Sequence, residues 1–257
     1  MTLEWDVKTL TPKPYMQQHA RIQHEAEPNE GYIRKLIAEG EHQQLDFKFG
    51  INDSRKIART LAAFANSDGG RLLIGVKDNG SIAGVRSEEE FYMIQAASEM
   101  FTKPIVPFEV KEWTVNQKRV LEIIVPAIKG TLHTAPVEKD KYLIYIRVKD
   151  ENYPVNSVWL KAYKWKNLKT GTFIKFTESE KFLLDYLEKE PSVTQSKYCK
   201  LAKINSKAAE NIIAGFVAIG MISIVFTKHG VVYKLSDVYT KLTPEQRLKE
   251  ITIHVAK

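Results

Sequence analysis

Cysteine is almost missing from this chain: Cys199 is the only one in 257 residues. No disulfide can therefore close within the chain, and a cysteine-rich zinc site is excluded; a reducing, cytoplasmic setting is the expectation. No apolar run approaches the length of a membrane span, and the start Met1-Thr2-Leu3-Glu4-Trp5-Asp6 has neither the basic opening nor the apolar core of a signal peptide. His19, His24, His42, His133, His229 and His254 show no metal-type pairing. There is no nucleophile elbow, no Cys/His pair, no Gly-x-x-x-x-Gly-Lys-Ser/Thr loop, no repeat and no low-complexity tract.

What is present is an ordinary globular composition, 44% apolar and 27% charged, in a chain long enough for one large domain or two moderate ones. A formal charge of +7 favours an anionic partner modestly. The most informative stretch runs from Glu41 to Gly84. Gln44-Leu45-Asp46-Phe47-Lys48-Phe49 alternates polar and apolar, which places Asp46 and Lys48 on one face of a strand. A helix capped by Ser54 or Asp53, with Ile57, Leu61, Phe64 and Ala65 on its apolar face, stops at Asn66 to Gly70 and feeds the buried strand Arg71-Leu72-Leu73-Ile74. Asp78-Asn79-Gly80 is a turn signal, with Ser81 to Gly84 expected to return as a strand.

These residues carry a resemblance. Glu41, then Asp46-Phe47-Lys48, then Ala63-Phe64-Ala65-Asn66-Ser67-Asp68-Gly69-Gly70, then Ile74-Gly75-Val76-Lys77-Asp78-Asn79-Gly80 and Gly84 resemble the Schlafen AlbA_2 domain over roughly residues 30–165. The usual Glu-Phe-Lys is Asp-Phe-Lys here, one methylene shorter. The resemblance implies a mixed α/β sheet-and-helix fold and a DNA-binding or divergent ATPase-like role. It also implies that Glu41, Asp46 and Asp78 stand where nuclease members of the family hold a divalent metal and cut RNA, with magnesium or manganese as cofactor only in that case. The family's strand arginine falls on Arg147. Read for themselves, the three acids are equally solvated strand-end and turn residues. Gly69-Gly70 follows its helix instead of preceding it, so it reads as a helix stop and gives the ATPase-like label no support.

Along the rest of the chain, residues 1–29 form a polar arm with a helix expected over Tyr15 to Glu27, and residues 30–165 form the Schlafen AlbA_2-like domain. Within it, Ser87-Glu88-Glu89-Glu90 is a capping box opening a helix to Phe101, Phe108–Val115 and Arg119–Val125 form a hairpin, and a loop through Lys129–Pro136 leads to the strand Tyr142–Val148. A helix from Asn156 to Lys166 closes the domain. Residues 161–175 hold five lysines (Lys161, Lys164, Lys166, Lys169 and Lys175) and no acid, interleaved with Trp159, Tyr163, Trp165 and Phe173, and residues 166–176 read as a basic linker.

Residues 177–257 read as a winged helix-turn-helix. Thr177-Glu178-Ser179-Glu180 opens the first helix, the second spans about Thr194 to Ala202, and Ser206 caps a third that leaves Lys207, Glu210, Asn211 and Ala214 outward. Ser223–Phe226 and Val231–Leu235 form the wing. Three helices and a hairpin form the shape whose third helix enters a major groove. The candidate nucleic-acid contacts are Lys48, Arg147, Lys197, Lys200, Lys203, Lys207, Asn211, Lys228, His229 and Lys234, the lysines for phosphates and Asn211 for an adenine edge. The expected function is a DNA-binding transcriptional regulator, with DNA as partner, RNA as the alternative, no membrane, and a homodimer left open. The alternatives are a metal-dependent endoribonuclease using Glu41, Asp46 and Asp78, and a nucleotide-sensing or protein-interaction adaptor.

Overall fold

The structure, a computed structural model, describes residues 22–23, 30–138, 140–168 and 174–254. The N-terminal arm, the helix expected over 15–27 apart from two residues, and linker residues 169–173 with Lys169 and Phe173 lie outside the described residues. The chain divides into two compact units, Met1–Pro154 and Val155–Lys257. As expected from the sequence, it is a mixed α/β protein. No helix among the described residues is long and apolar enough to cross a membrane.

The first unit runs β1 (Ile22–Gln23), α1 (Glu30–Glu39), β2 (Leu45–Lys48), α2 (Ser54–Ala65), β3 (Gly70–Ile74), α3 (Glu89–Phe101), β4 (Glu109–Val115), β5 (Lys118–Val125), β6 (Thr134–Glu138), β7 (Lys141–Val148) and β8 (Glu151–Pro154). Ile22 and Gln23, expected as helix, are extended and pair parallel with Val110 and Lys111. One five-stranded sheet has the order β1-β4-β5-β3-β2, and β6-β7-β8 form a second, three-stranded sheet. β2 runs parallel to β3, with Asp46 opposite Leu72, and β3 is antiparallel to β5. One face of the large sheet packs with α2 and α3 around Leu61, Phe64, Leu72, Ile74 and Ile123; the other buries Ile33, Phe47, Leu73 and Trp113.

The α2 to β3 corner sets the geometry. Asp53 is the N-cap, its side chain accepting from Arg55 N at 2.9 Å, which satisfies one donor the helix cannot pair internally. The helix ends because Gly69 adopts φ +70° and returns its N–H to Phe64 O at 2.9 Å. A Cβ on Gly69 would stand 2.8 Å from Ala127 N and Val125 O, so the corner accepts only glycine without a backbone shift.

Three local expectations are corrected. The segment Ser81 to Gly84 does not return as a strand; it makes one bridge, Val76 to Ile82, after a turn closed by Gly80 N on Lys77 O. The box at Ser87 does not form: Glu88 is the N-cap of α3 without a side-chain bond, while Ser87 Oγ accepts from Glu89 N at 3.2 Å. Part of the expected loop is β6, whose Pro136 sits on an edge strand beside an irregular register, a place where a missing N–H costs no ladder bond.

The second unit runs α4 (Ser157–Lys166), α5 (Glu178–Lys189), α6 (Gln195–Ala202), α7 (Ser206–Ala218), β9 (Ile222–Thr227), β10 (Gly230–Leu235), α8 (Asp237–Thr240) and α9 (Pro244–His254). Thr177 and Glu180 form the reciprocal capping box. The N-cap of α7 is Asn205, accepting from Ala208 N at 2.8 Å, and not Ser206. α6 stops where Lys203 turns left-handed at φ +53°. β9 and β10 are antiparallel, and Val193, between α5 and α6, exchanges both backbone bonds with Tyr233 of β10 at 2.8 and 2.9 Å. Leu183, Leu187, Tyr198, Ile213, Phe216 and Tyr233 form the core.

α4 belongs to this unit. The sequence places it at the end of the first domain, but Val158 and Ala162 are buried in the second core together with Ile174 from the expected linker. Four-residue spacing puts Val158 and Ala162 on one narrow seam, and that seam meets α7, where Ala214 and Gly215 are buried.

Candidate functional site

In the first unit, β2 sets Asp46 and Lys48 on one face, and Glu41 folds back onto the same strand. Lys48 Nζ lies 3.1 Å from Asp46 Oδ1 and 3.9 Å from Glu41 Oε1, and donates to Phe47 O at 2.7 Å. Glu41 Oε1 also accepts from Phe47 N at 2.8 Å. Burial, and then the neighbouring Asp46 carboxyl, push the Glu41 carboxyl above its ordinary value; the Phe47 N–H and Lys48 oppose them. Asp46 is 3% exposed, and Arg147 stands behind it with Nη2 at 3.4 Å from Oδ1.

Arg147, expected among the nucleic-acid contacts, is a buried strut. It is 3% exposed, donates to Asn152 Oδ1 at 3.2 Å and Leu45 O at 3.2 Å, and lies over the Phe64 ring at 5.2 Å. A guanidinium so enclosed holds β2, β7 and α2 together and has no surface for a phosphate.

The expected metal triad is not assembled. Asp78 is exposed in the turn after β3, and among the described residues no three His, Cys, Asp or Glu side chains gather as a metal-holding group. Glu41 and Asp46 do converge, but an ammonium and a guanidinium already face them. Two carboxylates with two cations do not offer the oxygen-rich, cation-free shell that magnesium or manganese needs, so no metal-dependent step follows from this geometry.

In the second unit, Lys197 and Lys200 on α6, Lys203 just after it and Lys207 at the start of α7 are exposed, as are Lys228 and His229 at the hairpin tip. Lys197 lies over the Tyr186 ring at 5.4 Å, and Lys234 is paired with Asp237 at 3.1 Å. Asn211 is placed differently from its expected role as a base reader. Its Oδ1 accepts from Lys161 Nζ of α4 at 2.5 Å, and the same ammonium lies 2.5 Å from Glu210 Oε1. Ser157 adds a bond to Glu210 Oε2 at 2.9 Å. Ala214, also expected outward, is fully buried, and a Cβ on Gly215 would meet Ile174 Cγ2 at 2.9 Å. α7 is therefore buried from Ile213 to Phe216 and exposed on its N-terminal turn and at Asn211, whose side-chain oxygen is engaged by Lys161. In the sequence Lys161 is one of five lysines in a basic segment, because its role depends on a partner about fifty residues away that no local pattern marks.

No curated protein matches the chain. The DIP2311 protein from Corynebacterium diphtheriae is similar at 18% identity and a TM-score of 0.43, over 82% of this chain and 43% of that one. The N-terminal domain of a RecG-related protein from Nitrosomonas europaea is similar at 21% identity and a TM-score of 0.28, over 37% of this chain and 72% of that one. This chain thus spans less than half the length of the first, and neither likeness carries an argument about activity. Residues 41–156, which hold the Glu41 and Asp46 pair and end at the N-cap of α4, match the protein family described as Schlafen, AlbA_2.

Proposed function

We propose that the chain is a nucleic-acid-binding protein, a DNA-binding transcriptional regulator whose second unit is a winged helix-turn-helix. The observation that carries the reading is the pairing of Val193 with Tyr233. This isolated bridge ties the segment between α5 and α6 to the two-stranded β9–β10 hairpin, so that three helices and the hairpin share one core. Exposed lysines on α6, on the first turn of α7 and at the hairpin tip supply the positive charge such a unit needs for a phosphate backbone.

The side chains packed and bonded along α7 decide which residues make the contact. With Asn211 held by Lys161 and Ala214 and Gly215 buried, duplex contact falls to Lys203, Lys207 and the hairpin residues Lys228 and His229. Base reading by Asn211 is not part of the proposal. The family match over residues 41–156 supports a nucleic-acid role for the first unit as well.

The test is a titration of the full chain with duplex DNA, single-stranded RNA and transfer RNA at several salt concentrations, with and without magnesium, each checked for cleavage. Salt-sensitive duplex binding without cleavage is expected, weakened by K203E and K207E. Absent or salt-insensitive duplex binding would sink the regulator reading and favour an adaptor.

A further inference from the structure

The first unit contains a cavity of about 380 Å³ between β2, the start of α2, and the β7–β8 pair. Lys48, Asn52, Lys56, Arg59, Thr60, Tyr145 and Asn152 supply its polar lining, with Asp53 as the one carboxylate. It lies beside the Glu41 and Asp46 pair, sharing only Lys48 with it.

The lining is made of donors. Lys56 is exposed, and its ammonium makes no hydrogen bond or ion pair among the described residues. Arg59 donates from Nε to Pro136 O at 2.7 Å and from one terminal nitrogen to Val137 O at 2.9 Å and lies over the Tyr145 ring at 5.9 Å, which fixes the guanidinium; its other terminal nitrogen has no hydrogen-bond partner among the described residues. Thr60 is 3% exposed; its Oγ1 accepts from Asn152 Nδ2 at 2.9 Å, and its own proton has no acceptor among the described residues. Asn152 is in turn oriented by Arg147, so the wall is held in place by a buried cation. Tyr145 completes the wall, and burial pushes its phenol up, so it keeps its proton.

The one acid is already satisfied. Asp53 Oδ1 accepts from Arg55 N at 2.9 Å and Arg55 Nε at 3.1 Å, and these contacts hold its carboxyl below the ordinary value. A buried hydroxyl with an unspent proton, a clamped guanidinium and a loose ammonium, presented together by α2, want a ligand rich in acceptors and negative charge. A carboxylate could meet two of them; a tetrahedral phosphate can meet all. The volume falls in the range of small-ligand pockets, about 300–1,000 Å³, and is larger than a bare ion requires.

We propose that this cavity binds the phosphate groups of a nucleotide, free in solution or within a nucleic-acid strand. The site goes beyond the duplex contact assigned to the second unit and does not rest on it.

The test uses the full chain and two probes: ADP followed by calorimetry, and a labelled eight-nucleotide single-stranded DNA followed by anisotropy. Each probe is run against the parent protein, K56E, T60V, T60S and the control K35E, which reverses an exposed lysine on α1. At least one probe is expected to bind, with K56E weakening it about ten-fold or more, as expected when a close attraction becomes a repulsion. T60V should weaken the same probe, T60S should keep its affinity because it retains the hydroxyl, and K35E should change it less than about two-fold. An effect on ADP alone assigns the site to free nucleotides, and an effect on the oligonucleotide assigns it to a strand. The proposal is overturned if neither probe binds, if K56E acts no more than K35E, or if T60V matches the parent. Circular dichroism shows that the variants are folded. K203E with K207E, which tests the duplex reading, should leave ADP unchanged.

Discussion

Lys161 Nζ stands 2.5 Å from Glu210 Oε1 and 2.5 Å from Asn211 Oδ1, so one ammonium from α4 occupies two consecutive side chains of α7. Both ionic partners are largely enclosed, Lys161 at 18% and Glu210 at 15% side-chain exposure. Replacing Lys161 with alanine leaves a carboxylate without its main partner. The expected loss is about 1–3 kcal/mol of second-unit stability, read from urea unfolding.

The same pair has a pH signature. Lys161, followed by Ser157, holds the Glu210 carboxyl below its ordinary value. A depressed folded pKa gives stability that is present above the unfolded value and lost as pH falls through the folded one. Second-unit stability is therefore expected to fall on acidification below the ordinary carboxylate range, about pH 4.3. In K161A that acid-side loss should shrink. An equally steep loss in both proteins would separate the pair from the acid response.

Glu41 should behave with the opposite sign. Its carboxyl is raised by burial and by Asp46, so its contribution is full below the unfolded value and lost as pH rises through the folded one. E41Q removes the titration, and the stability difference between parent and E41Q should move against the parent as pH rises from 4 through the weakly acidic range. A difference that does not change with pH contradicts this reading.

Glu122 is a fully buried carboxylate held by Tyr32 Oη at 2.8 Å, Trp113 Nε1 at 2.9 Å and Arg71 Nε at 3.0 Å. E122A leaves Arg71 without its partner and two donors unpaired, and is expected to cost about 3–5 kcal/mol in the first unit. Burial, and then the Glu122 bond, push the Tyr32 phenol up to about 12. Alkaline absorbance titration of the parent against Y32F isolates that step, and E122Q should bring it back toward 10, the ordinary phenol value.

How far the sequence spoke depends on the range of each interaction. The Asp53 cap, the glycine stop at Gly69 and the capping box at Thr177 are written within a few residues, and the structure has all three. The same-face placement of Asp46 and Lys48 follows from strand period alone and ends in a 3.1 Å contact. Ser206 is displaced as a cap by Asn205, one position earlier, which takes the Ala208 amide, whereas α3 begins one residue after Ser87, whose hydroxyl still accepts from Glu89 N. What stayed illegible is long-range. Arg147 reaches Asp46 across about a hundred residues, and Asn211, exposed as the helical wheel places it, is engaged by Lys161 from α4. The α4 seam is two residues wide, too narrow to reveal which unit it joins.

The Lys161 bond also separates two exposed residues that the sequence treats alike. N211A should change duplex affinity less than about two-fold, whereas K207E, on an exposed first turn, should lower it about ten-fold and reduce the salt slope by about one. Equal effects would mean that Asn211 leaves Lys161 when DNA arrives.

The central claim, that the second unit binds duplex DNA through its exposed lysines, is tested most directly by the salt dependence of duplex affinity in the full chain and in K203E with K207E. The parent should show log affinity falling linearly with log salt, at a slope of about −0.9 for each phosphate neutralised, and the double variant a slope shallower by about two. A parent whose duplex affinity is absent or indifferent to salt, or a double variant with an unchanged slope, would contradict it.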